Sequence, residues 1–435
     1  MKRNLYAGAA IVALLVGLGV GSAVLEKKAH VQAAGGAQAP KFEVDPMWPK
    51  PLPNHWIMGN VIGVNVDSKD HIWIIHRQGS LEAKEVYATK NPPDSMCCVP
   101  APPVLEFDEE GTLLNHWGGQ GGEGYEWPGS NHGIFVDYKG NVWIGGNGRV
   151  AVGGGPDGEM PAAPAGATKA GKAGKAKAAP PAPGGPPLYH DSMVLKFTQE
   201  GKFLMMIGHP GQSRGSNDTE NVGLPAKMMV DPKTNELYVA DGYGNKRVIV
   251  FDADTGKYKR HWGAYGHKPD DTNLGPYNPD APIAQQFRNP VHCAELSNDG
   301  MLYVCDRVND RIQVFKPDGT FVKEKQYYKT TKGDGSVWDI AFSKDPQQKF
   351  IYLSDGANEE VHILDRESLE VLTSFGDGGR QPGEFYAVHS IATDSKGNIF
   401  TTETYRGQRV QKFMYKGLGP VAKQDEGVLW PSKRK

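Results

Sequence analysis

Gly133-Ile134-Phe135-Val136-Asp137-Tyr138-Lys139-Gly140-Asn141-Val142-Trp143-Ile144 runs from an apolar stretch through an Asp-x-x-Gly-Asn turn into a short aromatic and aliphatic strand. Ile391-Ala392-Thr393-Asp394-Ser395-Lys396-Gly397-Asn398-Ile399-Phe400 repeats that order. A copy beginning at Met228 continues through Val230-Asp231-Pro232 to Leu237-Tyr238-Val239-Ala240-Asp241. Another, from Ala294, continues through Leu302-Tyr303-Val304-Cys305-Asp306 to Arg311-Ile312-Gln313-Val314-Phe315. Weaker copies start at Gly63 and Ile340, which makes six. Short strands, Gly/Asp/Asn turns and no long helical periodicity predict an all-β fold. A unit of about 40–50 residues with four strands has propeller spacing. One such unit cannot bury both faces of its sheet, whereas six around an axis can. The expected fold is a six-bladed β-propeller over residues 41–420. A strand near Lys41–Asp45 is the candidate to close the ring on the last blade, a point the sequence leaves open.

The chain has 435 residues, and the repeat overrides the two or three domains that length alone suggests. A formal net charge of −2 gives no bulk attraction to nucleic acid. Residues 1–34 read as a signal peptide or an uncleaved membrane anchor. Lys2 and Arg3 precede an apolar run from Ala7 to Leu25, and Val31-Gln32-Ala33 supplies small residues that favour cleavage. No later stretch is long and apolar enough to span a bilayer. The protein is expected to be exported to the periplasm or the extracellular space, with no other membrane contact, and to be a monomer. Four cysteines fit an oxidising compartment. Adjacent Cys97 and Cys98 form either a vicinal disulfide, the favoured reading, or two thiols. Cys293 and Cys305 flank the turn Ser297-Asn298-Asp299-Gly300 and fall nearly opposite each other on paired strands.

Two interruptions break the repeat. Residues 153–187 are almost entirely Gly, Ala, Pro and Lys, a composition that cannot bury a core. They read as a disordered insertion within blade two; a basic tether to a polyanion is the functional alternative. The polar stretch Gly263–Gln286, with Tyr265 and Tyr277, is expected to overhang one mouth of the channel.

Aligned on the residue ending the first strand, the six copies give Asp67, Asp137, Asp231, Ser297, Ser343 and Asp394. Five residues earlier stand Ile62, His132, Ala226, His292, Trp338 and His389. Histidine thus occupies blades two, four and six, about 120° apart in a six-bladed ring whose first strands line the channel. Three imidazoles at equal depth converge on the axis. That is the donor set of a catalytic zinc site with one position open. His55, His71, His116, His209, His261 and His267 match no such register and are assigned to surface or packing. Corners after the second strand supply His76-Arg77, Asp241-Gly242-Tyr243, Asp306-Arg307 and Asp355-Gly356. Arg77 and Arg307 suit a carboxylate, and Tyr243 suits a base if a cation lowers its phenol pKa. Corners of this type also simply tie blades together.

The blades resemble NHL repeats, and the constellation resembles peptidyl-α-hydroxyglycine α-amidating lyase over roughly Val61 to Phe413. Gly63-Val64 through Ile75-His76-Arg77 is similar to that family's first blade, implying that Arg77 is catalytic. Asn131-His132-Gly133-Ile134, Pro290-Val291-His292 and Val388-His389 resemble its zinc segments. Asp241-Gly242-Tyr243-Gly244-Asn245-Lys246-Arg247-Val248 resembles the segment with the catalytic tyrosine. Asp306-Arg307-Val308-Asn309-Asp310-Arg311-Ile312-Gln313 resembles the stretch with a substrate-site arginine. The resemblance implies Zn²⁺ on His132, His292 and His389, with Arg77, Arg307 and Tyr243 cleaving the C–N bond of an N-acyl-α-hydroxyglycine to a primary amide and glyoxylate. The expected substrate is a small molecule or peptide bearing a carboxylate, and its maker is expected to be a separate protein.

Two positions depart from the family. Ala387 stands where it has methionine, and Ser390 where it has an aspartate that binds Ca²⁺. The family's other calcium ligands are carbonyls, which fall at Val64 and Ile134. These departures favour a rival reading, another metal-dependent hydrolase such as a lactonase. A non-catalytic binding propeller that displays its loops to an extracytoplasmic partner is the third reading.

Overall fold

The structure, a computed structural model, describes residues 36–149, 190–421, 425 and 427–431. The segment 1–34 and the insertion 153–187 lie outside the described residues. Each repeat forms a four-stranded antiparallel sheet, and there are six such blades. Their first strands are Asn60–Val66, Asn131–Val136, Lys227–Asp231, Val291–Leu296, Asp339–Phe342 and Val388–Thr393. Each touches the first strand of the next blade, all the way round, so together they line the axis. The outermost strand of blade six is Gln38–Asp45, paired antiparallel with Val410–Pro420. The start of the described chain therefore closes the ring beside its last repeat, as Lys41–Asp45 suggested.

The Asp-x-x-Gly-Asn signature works through hydrogen bonds. Asp137 Oδ1 accepts from the Lys139 and Asn141 amides, at 2.9 and 2.8 Å, and Asp137 Oδ2 accepts from Trp143 Nε1 at 2.9 Å. Gly140 takes the left-handed conformation the turn requires, φ +81°. Asp394 holds the Lys396 and Asn398 amides in the same way.

Side chains alternate along each strand, so each sheet feeds both neighbouring interfaces. Leu237 and Val239 pack toward blade two, while Tyr238 and Ala240 pack toward blade four. The buried apolar residues fall into six clusters, one for each pair of adjacent blades. The last of these joins Phe400 and Val410 of blade six to Val61, Ile72 and Ile74 of blade one. Cys293 and Cys305 face each other on paired strands of blade four and are disulfide-bonded, as are Cys97 and Cys98.

Candidate functional site

His132, His292 and His389 project from the first strands of blades two, four and six, and all three are buried. Their ring centroids are 5.1 Å (His132–His292), 4.9 Å (His132–His389) and 4.8 Å (His292–His389) apart. One nitrogen from each ring lies within 4.8 Å of the others.

The intervening blades aim these rings. His132 Nδ1 lies 2.7 Å from the Ala226 carbonyl, and His292 Nδ1 lies 2.5 Å from the Trp338 carbonyl. Ala226 and Trp338 hold the same register position in blades three and five. The third contact is relayed: His389 Nδ1 is 3.1 Å from Ser390 Oγ, which donates at 3.0 Å to the carbonyl of Ile62. Ile62 is the equivalent position in blade one. An N–H at each Nδ1 is thereby satisfied, which leaves each Nε2 a lone pair for the axis. Gly133 makes the first contact possible: at φ +69°, a Cβ there would fall 2.3 Å from the Ala226 oxygen.

Burial, reinforced by the nearby positive charges of Arg77 and Arg307, holds the His132 pKa well below its ordinary value. Burial comes first for His292 and His389 too, followed by the neighbouring cations and imidazoles. All three rings are therefore neutral near pH 7, the form that binds a metal. Three neutral nitrogens with an open side fit zinc.

Tyr243 occupies that open side. Its phenol oxygen is 3.0 Å from His132 Nε2, 3.1 Å from His292 Nε2 and 3.3 Å from Arg307 Nη1. Arg307 lies over the Trp338 ring, 4.4 Å from its centroid, and its Nη2 donates to Asp334 at 3.1 Å. Its buried Nε has no hydrogen-bond partner among the described residues. Asp334 also accepts from the Tyr405 hydroxyl at 3.0 Å. Arg77 is fixed by the Asn131 carbonyl at 3.0 Å and by Asn147 Oδ1 at 2.8 Å. Arg77, Tyr243, Arg307 and His389 all line one cavity of about 1160 Å³, and His132 and His292, in contact with Tyr243, line a smaller cavity beside it. The 263–286 stretch reaches this mouth through Asp271 and Tyr277, whereas Tyr265 packs on blade four against Glu324. His76, beside Arg77, is a packing residue; burial lowers its pKa to about 4, and it holds the Gly59 amide and the Pro102 carbonyl.

The sequence left a calcium site at Val64, Ile134 and Ser390 open, because the only charged ligand of the resembling family is missing. Val64, Ile134 and Ser390 do line one small cavity under the histidines, but Lys227 and Asp339 share it. The Lys227 ammonium is bound by Glu295 at 2.6 Å and Asp339 at 2.8 Å. Burial opposes its charge, yet the two carboxylates outweigh that and keep it protonated. The carboxylate lining this cavity is already paired, and the Ser390 hydroxyl is committed to Ile62. The two carbonyls that remain do not make a hard-cation shell. Sequence reading missed the Lys227–Glu295–Asp339 group; charged residues on otherwise apolar inner strands were the available signal.

Residues 206–414, from the outer strand of blade two through blade six, match the family model "Lactonase, 7-bladed beta-propeller". The chain is 23% identical over 392 residues to NHL repeat-containing protein 3 of Mus musculus, covering 86% of this chain and 84% of that protein. The chain is a six-bladed β-propeller, similar in sequence to NHL repeat proteins. This propeller is also 33% identical over 210 residues to peptidyl-glycine alpha-amidating monooxygenase A of Xenopus laevis, covering 46% of this chain and 20% of that protein. It thus spans about a fifth of that relative's length. A streptogramin B lyase structure aligns over 87% of the propeller and 98% of its own chain at 10% identity and TM-score 0.44, a likeness that carries no weight.

Proposed function

We propose that the propeller is a zinc-dependent lyase that splits N-acyl-α-hydroxyglycines into a primary amide and glyoxylate. One observation carries this reading. The Tyr243 oxygen lies within hydrogen-bond distance of two histidine nitrogens and of Arg307, at the floor of a large cavity. Partial similarity to the amidating monooxygenases supports it.

Bound on His132, His292 and His389, zinc would supply Lewis acidity toward a substrate oxygen. Arg77 and Arg307 grip the substrate carboxylate and steady the negative charge that develops on the carbinol oxygen. Tyr243, as phenolate, takes the carbinol proton. The oxygen's electron pair forms the aldehyde C=O, the C–N bond breaks, and Tyr243 returns the proton to the departing amide nitrogen. Atoms and charge balance with no co-reactant. Incubating zinc-loaded protein with N-benzoyl-α-hydroxyglycine should release glyoxylate and benzamide in equal amounts. Absence of both from protein with full zinc would end this reading.

The lactonase family match favours a second reading, hydrolysis at the same centre. Lactone opening without glyoxylate release would select it. Metal-free protein with an intact fold would instead select a binding module. The disulfides fit an oxidising compartment, and no helix among the described residues is long and apolar enough to cross a membrane. From the disulfides we propose that the protein acts outside the cytoplasm; that it is a monomer is a separate proposal.

A further inference from the structure

The cavity over the histidines is unevenly charged. Arg77, Arg149, Lys246, Arg288, Arg307 and Lys332 line it, against the carboxylates of Asp271 and Asp334. Both carboxylates are committed: Asp334 to Arg307 and Tyr405, and Asp271 to the Ser216 amide at 3.0 Å. The lining thus carries four more positive than negative charges. One substrate carboxylate neutralises one of them.

The basic groups divide by depth. Arg307 lies 3.3 Å from the Tyr243 oxygen beside the histidines, and Arg77 holds the carbonyl of Asn131, next to His132, at 3.0 Å. The other four stand on connections at the blade tops: Arg149 after the second strand of blade two, Lys246 between the second and third strands of blade three, Arg288 before blade four, and Lys332 before blade five. Lys246 is held by the Thr272 carbonyl, and Arg288 by Asn309 at 3.1 Å. Arg149 and Lys332 are exposed and make no hydrogen bond or ion pair with a described residue. A concave site lined by one sign of charge concentrates ligands of the other sign.

We propose that the substrate carries two anionic groups: one carboxylate at Arg77 and Arg307, and a second carboxylate on the acyl portion, received by Arg149, Lys246, Arg288 and Lys332. This rests on reading the cavity as the substrate site and adds the class of acyl group to that reading. The test is calorimetric binding of two unreactive ligands to zinc-loaded protein. N-succinylglycine bears a second carboxylate, whereas N-benzoylglycine does not. At low salt, N-succinylglycine should bind about tenfold more tightly or better, and the gap should narrow as ionic strength rises. Arg149→Glu combined with Lys332→Glu should bring the two affinities to within about a factor of two. Equal binding by the unaltered protein, or a preference that survives charge reversal, overturns the proposal. Because these ligands do not react, the result is independent of turnover. Preference without glyoxylate release removes only the lyase chemistry; glyoxylate release without preference removes only the second anion.

Discussion

Between His389 and the carbonyl of Ile62 stands a single hydroxyl, that of Ser390. Its partner rings reach their carbonyls directly. Ser390→Ala deletes the relay and leaves the His389 ring free to turn. Zinc affinity, measured by chelator competition, should fall about 10- to 100-fold, and Ser390→Thr should restore most of it. An unchanged affinity in the alanine variant removes Ser390 from the centre. Tyr243→Phe tests the chemistry itself: zinc content should stay at the unaltered level while kcat drops by about 10² or more. The three histidines were legible because the repeat supplies a register, and histidine alternates within it. The relay through Ser390 was not legible, because equivalence to an aspartate position does not reveal where a hydroxyl will point. Asp334 and Lys332 had no register to betray them, since they sit on a connection between blades.

In blades three and four the second hairpin turns at a buried ion pair. Arg247 is fully buried, 2.8 Å from Asp241 and 2.9 Å from the carbonyls of Ser216 and Asn221. Arg311 repeats the arrangement with Asp306 at 2.7 Å. The first pair brackets the turn that presents Tyr243, so corners that tie blades together also position the site. Arg247→Leu leaves the Asp241 carboxylate without its cation and the carbonyls of Ser216, Asp218 and Asn221 without their donor. It should destabilise the fold by about 3–5 kcal/mol in urea titration. A loss under 1 kcal/mol would mean that the turn stands without it. The strands and turns were readable because Asp-x-x-Gly-Asn encodes both a side-chain cap and a left-handed glycine. The partners of Arg247 were not readable, because backbone carbonyls carry no sequence mark.

At the scale of the whole ring, six apolar interfaces and one borrowed strand make the blades interdependent. Blade count decides the chemistry: only with six blades do histidines on every second blade meet at thirds of a turn. The sequence anticipated that count from its repeats, whereas the closing partner became plain only through the pairing of Gln38–Asp45 with Val410–Pro420. Everything functional depends on the meeting of His132, His292 and His389. X-ray absorption at the zinc edge, on purified zinc-loaded protein and on its His292→Ala variant, measures that meeting directly. One zinc per chain with three imidazole nitrogens at about 2.0–2.1 Å, lost or depleted in the variant, is the expected result. Substoichiometric zinc, or a coordination shell that the His292→Ala change leaves intact, would contradict it.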